Sequence, residues 1–457
     1  MGDNKGFLKF KRQTSEYRPV CDRVKDYSEV GKPRSDKSSK EQASRCMDCG
    51  TAYCNWGCPI GNYVPEWNDL VFRGQWEAAL RLLAATNPLP EVTGRVCPAL
   101  CEYACVLGIN DEPVTIRDNE LSIVERAFNK GAVRPNLPNI RTGKKVAVIG
   151  SGPAGLAAAN YLNKSGHIVV VFERDENIGG IMRFGIPDFK LDKKVLDRRI
   201  HIWQKEGIEF RTGVNIGVDR SIADLKKEFD AILLACGSRV PRDLAIEGRE
   251  LKGIYFAMEY LTQSNMRVSG KNIPQKSLIN AKEKKVVVIG GGDTGADCVG
   301  VACRQCAASI VQIELLPKPL GCRTPSQPWP YYPNLLKTST SHEEGCERHW
   351  EVATKKFIGE SGRVKKLLCF RSGGTFEIEA DLVLFAMGFV HPERRGIIEE
   401  LGLQLDDRGN VKADETYMTS VRGVFCSGDM RRGQSLIVWA IYEGIEAARS
   451  IHSYLAA

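Results

Sequence analysis

Two stretches of this 457-residue chain constrain its fold more than anything else in it. The first reads Val146-Ala-Val-Ile-Gly150-Ser-Gly152-Pro153-Ala154-Gly155: an apolar strand, a Gly-x-Gly-x-x-Gly turn and the start of a small-residue helix. The second, Val286-Val-Val-Ile-Gly290-Gly-Gly292-Asp293-Thr294-Gly295, repeats the pattern. Such glycines permit the tight turn, let a pyrophosphate approach the backbone and bring helix against strand, while the helix N-terminus meets the negative charge. Each unit runs on into another apolar strand that ends in an acid, Glu173 in one and Glu314 in the other. An acid about twenty residues past the glycines is placed to accept ribose hydroxyls. A chain carrying this unit twice is an α/β protein with two Rossmann-like nucleotide-binding domains. Hydride transfer needs such a pair, one nucleotide retained and one diffusible, because protein side chains accept no hydride.

Three further strand-and-glycine segments belong with these units. Residues 229–237, ending at Gly237, are nearly duplicated by 380–388, and both mark crossings between the two nucleotide domains. Near the C-terminus, residues 423–429 run a short strand into Gly428 and Asp429, suited to a flavin's ribityl or pyrophosphate region. Helix formation is expected after Gly433, and its first N–H groups would face a flavin carbonyl edge.

The cysteines are unevenly spread. Of sixteen, seven lie in two short runs: Cys46, Cys49, Cys54 and Cys58-Pro59, then Cys97-Pro98, Cys101 and Cys105. The first spacing, ending at a proline, is that of a ferredoxin run, whose last cysteine serves a second cluster. Zinc usually takes paired CxxC units or a Cys/His mixture, whereas this region has one CxxC and no histidine. Iron–sulfur ligation is therefore expected. Seven thiolates do not complete two four-iron clusters; either a non-cysteine ligand supplies the eighth position or one cluster leaves three cysteines idle. Residues 112–125 begin a helix and offer carboxylates, although Glu120 on pattern alone is a solvated helix residue. Cys303 and Cys306 have redox-disulfide spacing but fall behind the second fingerprint. They are expected to be inert.

The net charge is +8, and Lys and Arg gather before residue 40, which reads as a solvated basic arm rather than a nucleic-acid surface. No apolar run is long enough for a membrane span and the N-terminus lacks a signal-peptide core, so a soluble, cytoplasmic protein without disulfides is expected.

Together these motifs resemble the small (beta) subunit of glutamate synthase along essentially the whole chain. The most specific are the two cysteine runs, Gly150–Gly155 with Gly179-Gly180, residues 290–295, Pro328-Trp-Pro-Tyr-Tyr-Pro333, Ser341-His342-Glu343-Glu344-Gly345, and residues 428–440. The same cassette resembles the N-terminal half of dihydropyrimidine dehydrogenase, and its flavin part resembles adrenodoxin reductase. The resemblance implies a helical iron–sulfur domain over 1–143, a FAD domain over 144–241 and 389–457, and an inserted NAD(P)H domain over 242–388. It implies FAD on Gly150, Gly152, Pro153, Ala154, Gly155, Glu173, Gly180 and Gly237, with Gly428, Asp429, Gln434, Ser435, Leu436 and Val438. The nicotinamide nucleotide falls on Gly290, Gly292, Asp293, Thr294, Gly295 and Glu314. It also assigns Cys46, Cys49, Cys54 and Cys105 to one [4Fe-4S] cluster, and Cys58, Cys97 and Cys101 to a second that Glu120 completes.

The implied activity is an electron relay from NAD(P)H through FAD and the clusters, with no catalytic acid or base. It would feed a large FMN-containing partner that reduces 2-iminoglutarate to glutamate, chemistry this chain does not carry. The competing reading is a free-standing NAD(P)H:acceptor reductase that delivers to ferredoxin, quinone, iron or polysulfide; a scaffold with degenerate sites fits poorly with intact glycines and both ribose acids. Glu314 favours NADH by the simple rule, while Lys318 and Arg323 close behind offer partners to a 2′-phosphate. NADPH is slightly preferred.

Overall fold

The computed structural model describes residues 2–457. The strand Lys145–Ile149 is β-branched and apolar after its exposed first residue, and its last four residues are buried. A strand covered on both faces belongs inside a parallel sheet. It lies between Ile168–Phe172 and Ala231–Leu234 in a five-stranded parallel sheet. Glu209–Arg211 forms one edge and Val424–Cys426 the other.

A second five-stranded parallel sheet has the order Ile254–Phe256, Leu382–Phe385, Lys285–Ile289, Ser309–Ile313, Glu347–His349. The helices Pro153–Lys164 and Asp293–Arg304 leave the two glycine turns at equivalent places. The first sheet takes its edge strand from beyond the second, so one α/β fold is inserted in the other. The two passes between them run side by side, where Val240–Pro241 pairs antiparallel with Phe389–His391. An antiparallel sheet of Ala353–Glu360, Arg363–Arg371 and Gly374–Glu379 is appended to the inserted fold.

The N-terminal region is helical. The helices Asp36–Ala43, Val64–Phe72, Trp76–Thr86 and Ile116–Asn129 gather around Trp67, Val71, Leu83 and Ile123. The cysteine runs make only single turns between them, Tyr53–Gly57 and Leu100–Tyr103, with Asp48 and Ala99 at positive φ.

The basic arm is not simply solvated. Arg12 bonds Glu102, while Arg23 is buried against Glu343, Glu344 and the Thr340 carbonyl of the inserted fold. Val30 joins that fold's core, and its N–H donates to Phe189 O. The composition of the arm concealed this, because an arginine buried by a distant carboxylate looks in sequence like one facing water. Among the described residues no helix is long and apolar enough to cross a membrane.

Candidate functional site

Both glycine turns open into one cavity of about 1580 Å³. At each turn the chain passes under the neighbouring strand with positive φ, 103° at Gly150 and 123° at Gly290. A Cβ would stand 2.5 Å from Ala235 O at Gly150 and 2.3 Å from Ala386 O at Gly290, so only glycine fits. From the first fold Gly152, Pro153, Ala154, Glu173, Gly180 and Gly237 line the cavity, joined by Asp429, Gln434, Ser435 and Leu436. From the second come Gly292, Asp293, Thr294 and Glu314. Gly155, Gly295 and Gly428 lie behind the wall. Val438 faces a second cavity, of about 870 Å³.

The two acids are held alike. Glu173 accepts from Ser151 N at 3.0 Å and Asp175 N at 3.0 Å, and its neighbour Ser151 Oγ adds a bond at 2.5 Å. Glu314 accepts from Gly291 N at 2.6 Å and Leu316 N at 3.0 Å. A carboxylate offers about four lone-pair sites, so each keeps capacity for a ligand hydroxyl.

Asp429 is raised to about 6 by burial, against the hydrogen bond from Ser435 Oγ at 2.7 Å. The turn before it is tied by Gly428 N to Glu443 Oε2 at 3.0 Å, and Arg431 pairs with the same carboxylate. Sequence reasoning passed over Glu443, although a lone acid in the apolar run 437–445 is a usable signal. The C-terminal helix starts at Ile437, three residues after Gln434, whose Oε1 accepts from Phe389 N at 2.6 Å. The Gln434 side-chain carbonyl thus serves the crossing between the folds, and the residue also lines the cavity.

His342 makes a structural chain. Ser339 N donates to its Nδ1, its Nε2 reaches Gln312 Oε1 at 2.8 Å, and Gln312 Nε2 donates to Gly290 O at 2.8 Å. The ring therefore carries its proton on Nε2, and burial lowers its pKa to about 4. Arg323 does not face the nucleotide cavity. Its guanidinium donates to Tyr331 O and Tyr103 O, each at 2.6 Å, which corrects its expected part in cofactor choice. Cys306 lies past the end of the helix Asp293–Arg304, and both Cys303 and Cys306 are free thiols.

The second cavity shares Pro153, Ile181, Met258, Asp293, Ser435 and Leu436 with the first and extends to Cys97 and Pro98. Beyond it the cysteines fall into two groups. Cys46, Cys49, Cys54 and Cys105 surround one small apolar hollow with Val64, Leu107 and Ile116. Cys58, Cys97, Cys101 and Glu120 are electrostatic neighbours of one another. Burial pushes the Cys46 and Cys97 thiols up to about 12 and that of Cys58 to about 11. Glu120 is not solvated: it is 5% exposed, bonded by Asn87 Nδ2 at 2.8 Å and Thr93 Oγ1 at 3.0 Å, and raised by burial to about 8. Its buried face on the helix Ile116–Asn129 is set by the packing of Pro90–Val96, which no periodicity in 112–125 discloses.

Among the described residues no three His, Cys, Asp or Glu side chains are grouped to hold a metal ion. One zinc would draw its ligands to about 2.3 Å; an iron–sulfur core places irons and sulfides between the thiolates and asks for a wider shell. Soft buried thiols that stay protonated until a metal displaces the proton suit such a core.

The pyridine nucleotide-disulphide oxidoreductase family signature covers residues 144–444. That of dihydropyrimidine dehydrogenase domain II, 4Fe-4S cluster, covers 23–132. Flavin and nucleotide binding, and 4Fe-4S ligation, are thus properties of the families that the chain matches. A Mycobacterium tuberculosis protein named glutamate synthase [NADPH] small chain is 51% identical over all of this chain and 96% of its own. In Schizosaccharomyces pombe, glutamate synthase [NADH] is 44% identical over 98% of this chain but only 22% of its own length. Mycobacterium tuberculosis FprA in complex with NADPH shares the fold over 69% of this chain and 85% of its own, with a TM-score of 0.53 at 16% identity. The chain belongs to the glutamate synthase small-chain family, oxidoreductases of pyridine nucleotides with an iron–sulfur domain ahead of two nucleotide folds.

Proposed function

We propose that this chain is the electron-input subunit of a cytoplasmic glutamate synthase, oxidising NADPH or NADH bound on the second fingerprint, with FAD bound on the first. Two [4Fe-4S] clusters would occupy the thiol groups, one on Cys46, Cys49, Cys54 and Cys105, the other on Cys58, Cys97, Cys101 and Glu120. When bound, FAD converts a two-electron hydride into single electrons, which iron–sulfur clusters carry.

The observation that carries this reading is the single cavity on which both fingerprints open, continuous past Leu436 with a second that ends at Cys97. The chain's own work there is positioning. Glu173 and Glu314 orient riboses, the glycine turns admit phosphates, and Asp429 is held by Ser435 beside the start of the helix Ile437–Ala456. That start, with its unpaired N–H groups and positive dipole end, favours negative charge in the shared wall. Asn87 and Thr93 hold the Glu120 carboxyl among the thiols. No side chain has to move a proton in the hydride step.

The acceptor would be a large FMN-containing subunit that reduces 2-iminoglutarate; support comes from the fission-yeast relative, in which the matching segment is part of a much longer synthase chain. An anaerobic preparation tests the whole reading through iron, labile sulfide, zinc and flavin per chain, followed by addition of NADH or NADPH with a dye acceptor. Flavin that bleaches, sulfide equal to iron, and glutamate formed only with the large subunit present are expected. Zinc without sulfide refutes the clusters. Replacing Glu120 by Ala should halve the iron, and an unchanged iron content and spectrum would remove Glu120 from the ligand set.

A further inference from the structure

The two fingerprints copy each other down to individual atoms. In the first, Glu173 Oε2 accepts from the N–H after the leading glycine (Ser151, 3.0 Å) and Oε1 from the N–H two residues past the acid (Asp175, 3.0 Å). In the second, Glu314 Oε2 accepts from Gly291 N at 2.6 Å and Oε1 from Leu316 N at 3.0 Å. The carboxylate is thus fixed at the turn by two backbone donors, with its remaining lone pairs open to the cavity. A Cβ at Gly291 would lie 2.7 Å from Glu314 Oε2, so the acid sits hard against the loop over which an adenosine ribose passes.

The surroundings of Glu314 supply no counter-charge. Leu315 and Leu316, 66% and 63% exposed, form the cavity wall beside it. The nearby cations are engaged elsewhere. Lys318 lies over the Trp350 ring at 5.0 Å and Arg348 over the same ring at 4.9 Å, Arg348 also donating to Lys337 O. Arg323 is bound to Tyr331 O and Tyr103 O. The cavity's own arginines stand at the first fold or at the crossing: Arg174 pairs with Glu393, Arg239 with Asp175, and Arg242 directly follows the crossing strand Val240–Pro241. Arg394 and Arg395 precede Gly396, which packs on Gly217 of the first fold.

We propose that the second fingerprint selects NADH over NADPH, with Glu314 as the specificity-determining residue. An unphosphorylated ribose presents vicinal hydroxyls that donate to the anchored carboxylate. A 2′-phosphate would place a dianion against that carboxylate, beside two exposed leucines and with no cation paired to the acid among the described residues, where like charges oppose each other in a partly desolvated site. Because Glu314 is bound through backbone N–H groups on both sides, it does not swing away to make room. The apolar side chains of Leu315 and Leu316 instead suit the face of the adenine. This rests on the reading of the second fingerprint as the nicotinamide site.

The test uses the flavin-loaded holoenzyme with two independent readouts. Steady-state dye reduction gives kcat/KM for NADH and NADPH, and calorimetric titration ranks NAD+ against NADP+ and 5′-AMP against adenosine 2′,5′-bisphosphate. A preference for the unphosphorylated member of each pair of about tenfold or more is expected, equivalent to about 1.4 kcal/mol. Glu314→Ser should shrink that ratio by a similar factor, mainly through KM, with flavin absorbance retained because Glu173 is untouched. Should that variant fail to fold, Leu315→Arg at an exposed position should strengthen NADP+ binding on its own. Tighter binding of NADP+ by the wild type, or a ratio unmoved by both variants, overturns the proposal. If neither donor bleaches the flavin, the oxidoreductase reading fails, while the titrations still decide the nucleotide preference.

Discussion

The two nucleotide folds share the order of the four strands around the glycine turn, the turn itself and the anchored acid, yet they are closed by different means. The first is closed by backbone against backbone. The helix Ile437–Ala456 lies so tightly on Pro153–Lys164 that a Cβ on Gly444 would stand 2.2 Å from Ala154 O, and Glu443 locks the Gly428 turn beneath it. The second is closed by side chains. Arg23 from the N-terminal arm and Arg304 converge on the buried carboxylate of Glu344, and His342 with Gln312 ties the same segment to Gly290. Helix-on-helix contact suits a nucleotide that stays; a polar clasp, with fewer buried apolar contacts, suits one that exchanges. Equal local sequence therefore does not dictate equal rigidity, because the closing elements come from far along the chain.

The clasp can be broken at its centre. Glu344→Ala leaves the buried Arg304 guanidinium without its anion and Arg23 with Glu343 alone, and the loss of one partner from such a network costs about 3–5 kcal/mol. Denaturant unfolding should show the inserted fold destabilised by that amount while the flavin stays bound; simultaneous loss of flavin would mean that the two closures are not separate. The complementary break is Gly444→Ala. Overpacking against a backbone oxygen should cost about 3 kcal/mol and release flavin, with nicotinamide-fold stability unchanged in the same assay.

Acid distinguishes the closures more gently. The His342 ring titrates at about 4 in the fold against about 6.5 in an unfolded chain. Between those limits the unfolded state binds more protons, so stability is full above 6.5 and falls as the pH drops toward 4, by about 3 kcal/mol for a fully buried ring and about 2 kcal/mol with the solvent screening of this part-exposed one. His342→Gln should flatten that part of the pH–stability curve, and an unaltered slope would assign it to other groups. The smallest change sharpens the comparison instead. Ser151→Gly gives the first turn the triple glycine of the second and removes hydroxyl bonds to Glu173 and from Gly179 N. A loss of about 1 kcal/mol, read as faster flavin dissociation, is expected.

Patterns of short range were legible in the sequence. Strand, glycine turn, helix and terminal acid are consecutive, and each is enforced by the residue itself: a glycine at positive φ or a β-branched run covered on both faces. The cysteine spacings were legible for the same reason, since single turns bring neighbouring thiols together. What the sequence by itself determined is therefore the architecture and the chemical class of the ligands.

Only the tertiary structure decided which side chains are buried and what they face. Glu120 is indistinguishable from a surface glutamate until Asn87 and Thr93 from another helix enclose it. Arg23 looks like part of a solvated arm until Glu344, hundreds of residues away in sequence, takes its charge. Arg323 looks like a phosphate ligand until Tyr103 O claims it. In each case the side chain's environment is supplied by segments distant in sequence, and burial raises the electrostatic stakes of every such meeting. Local backbone geometry is written in neighbouring residues; the partner of a charge is settled only when the chain has folded.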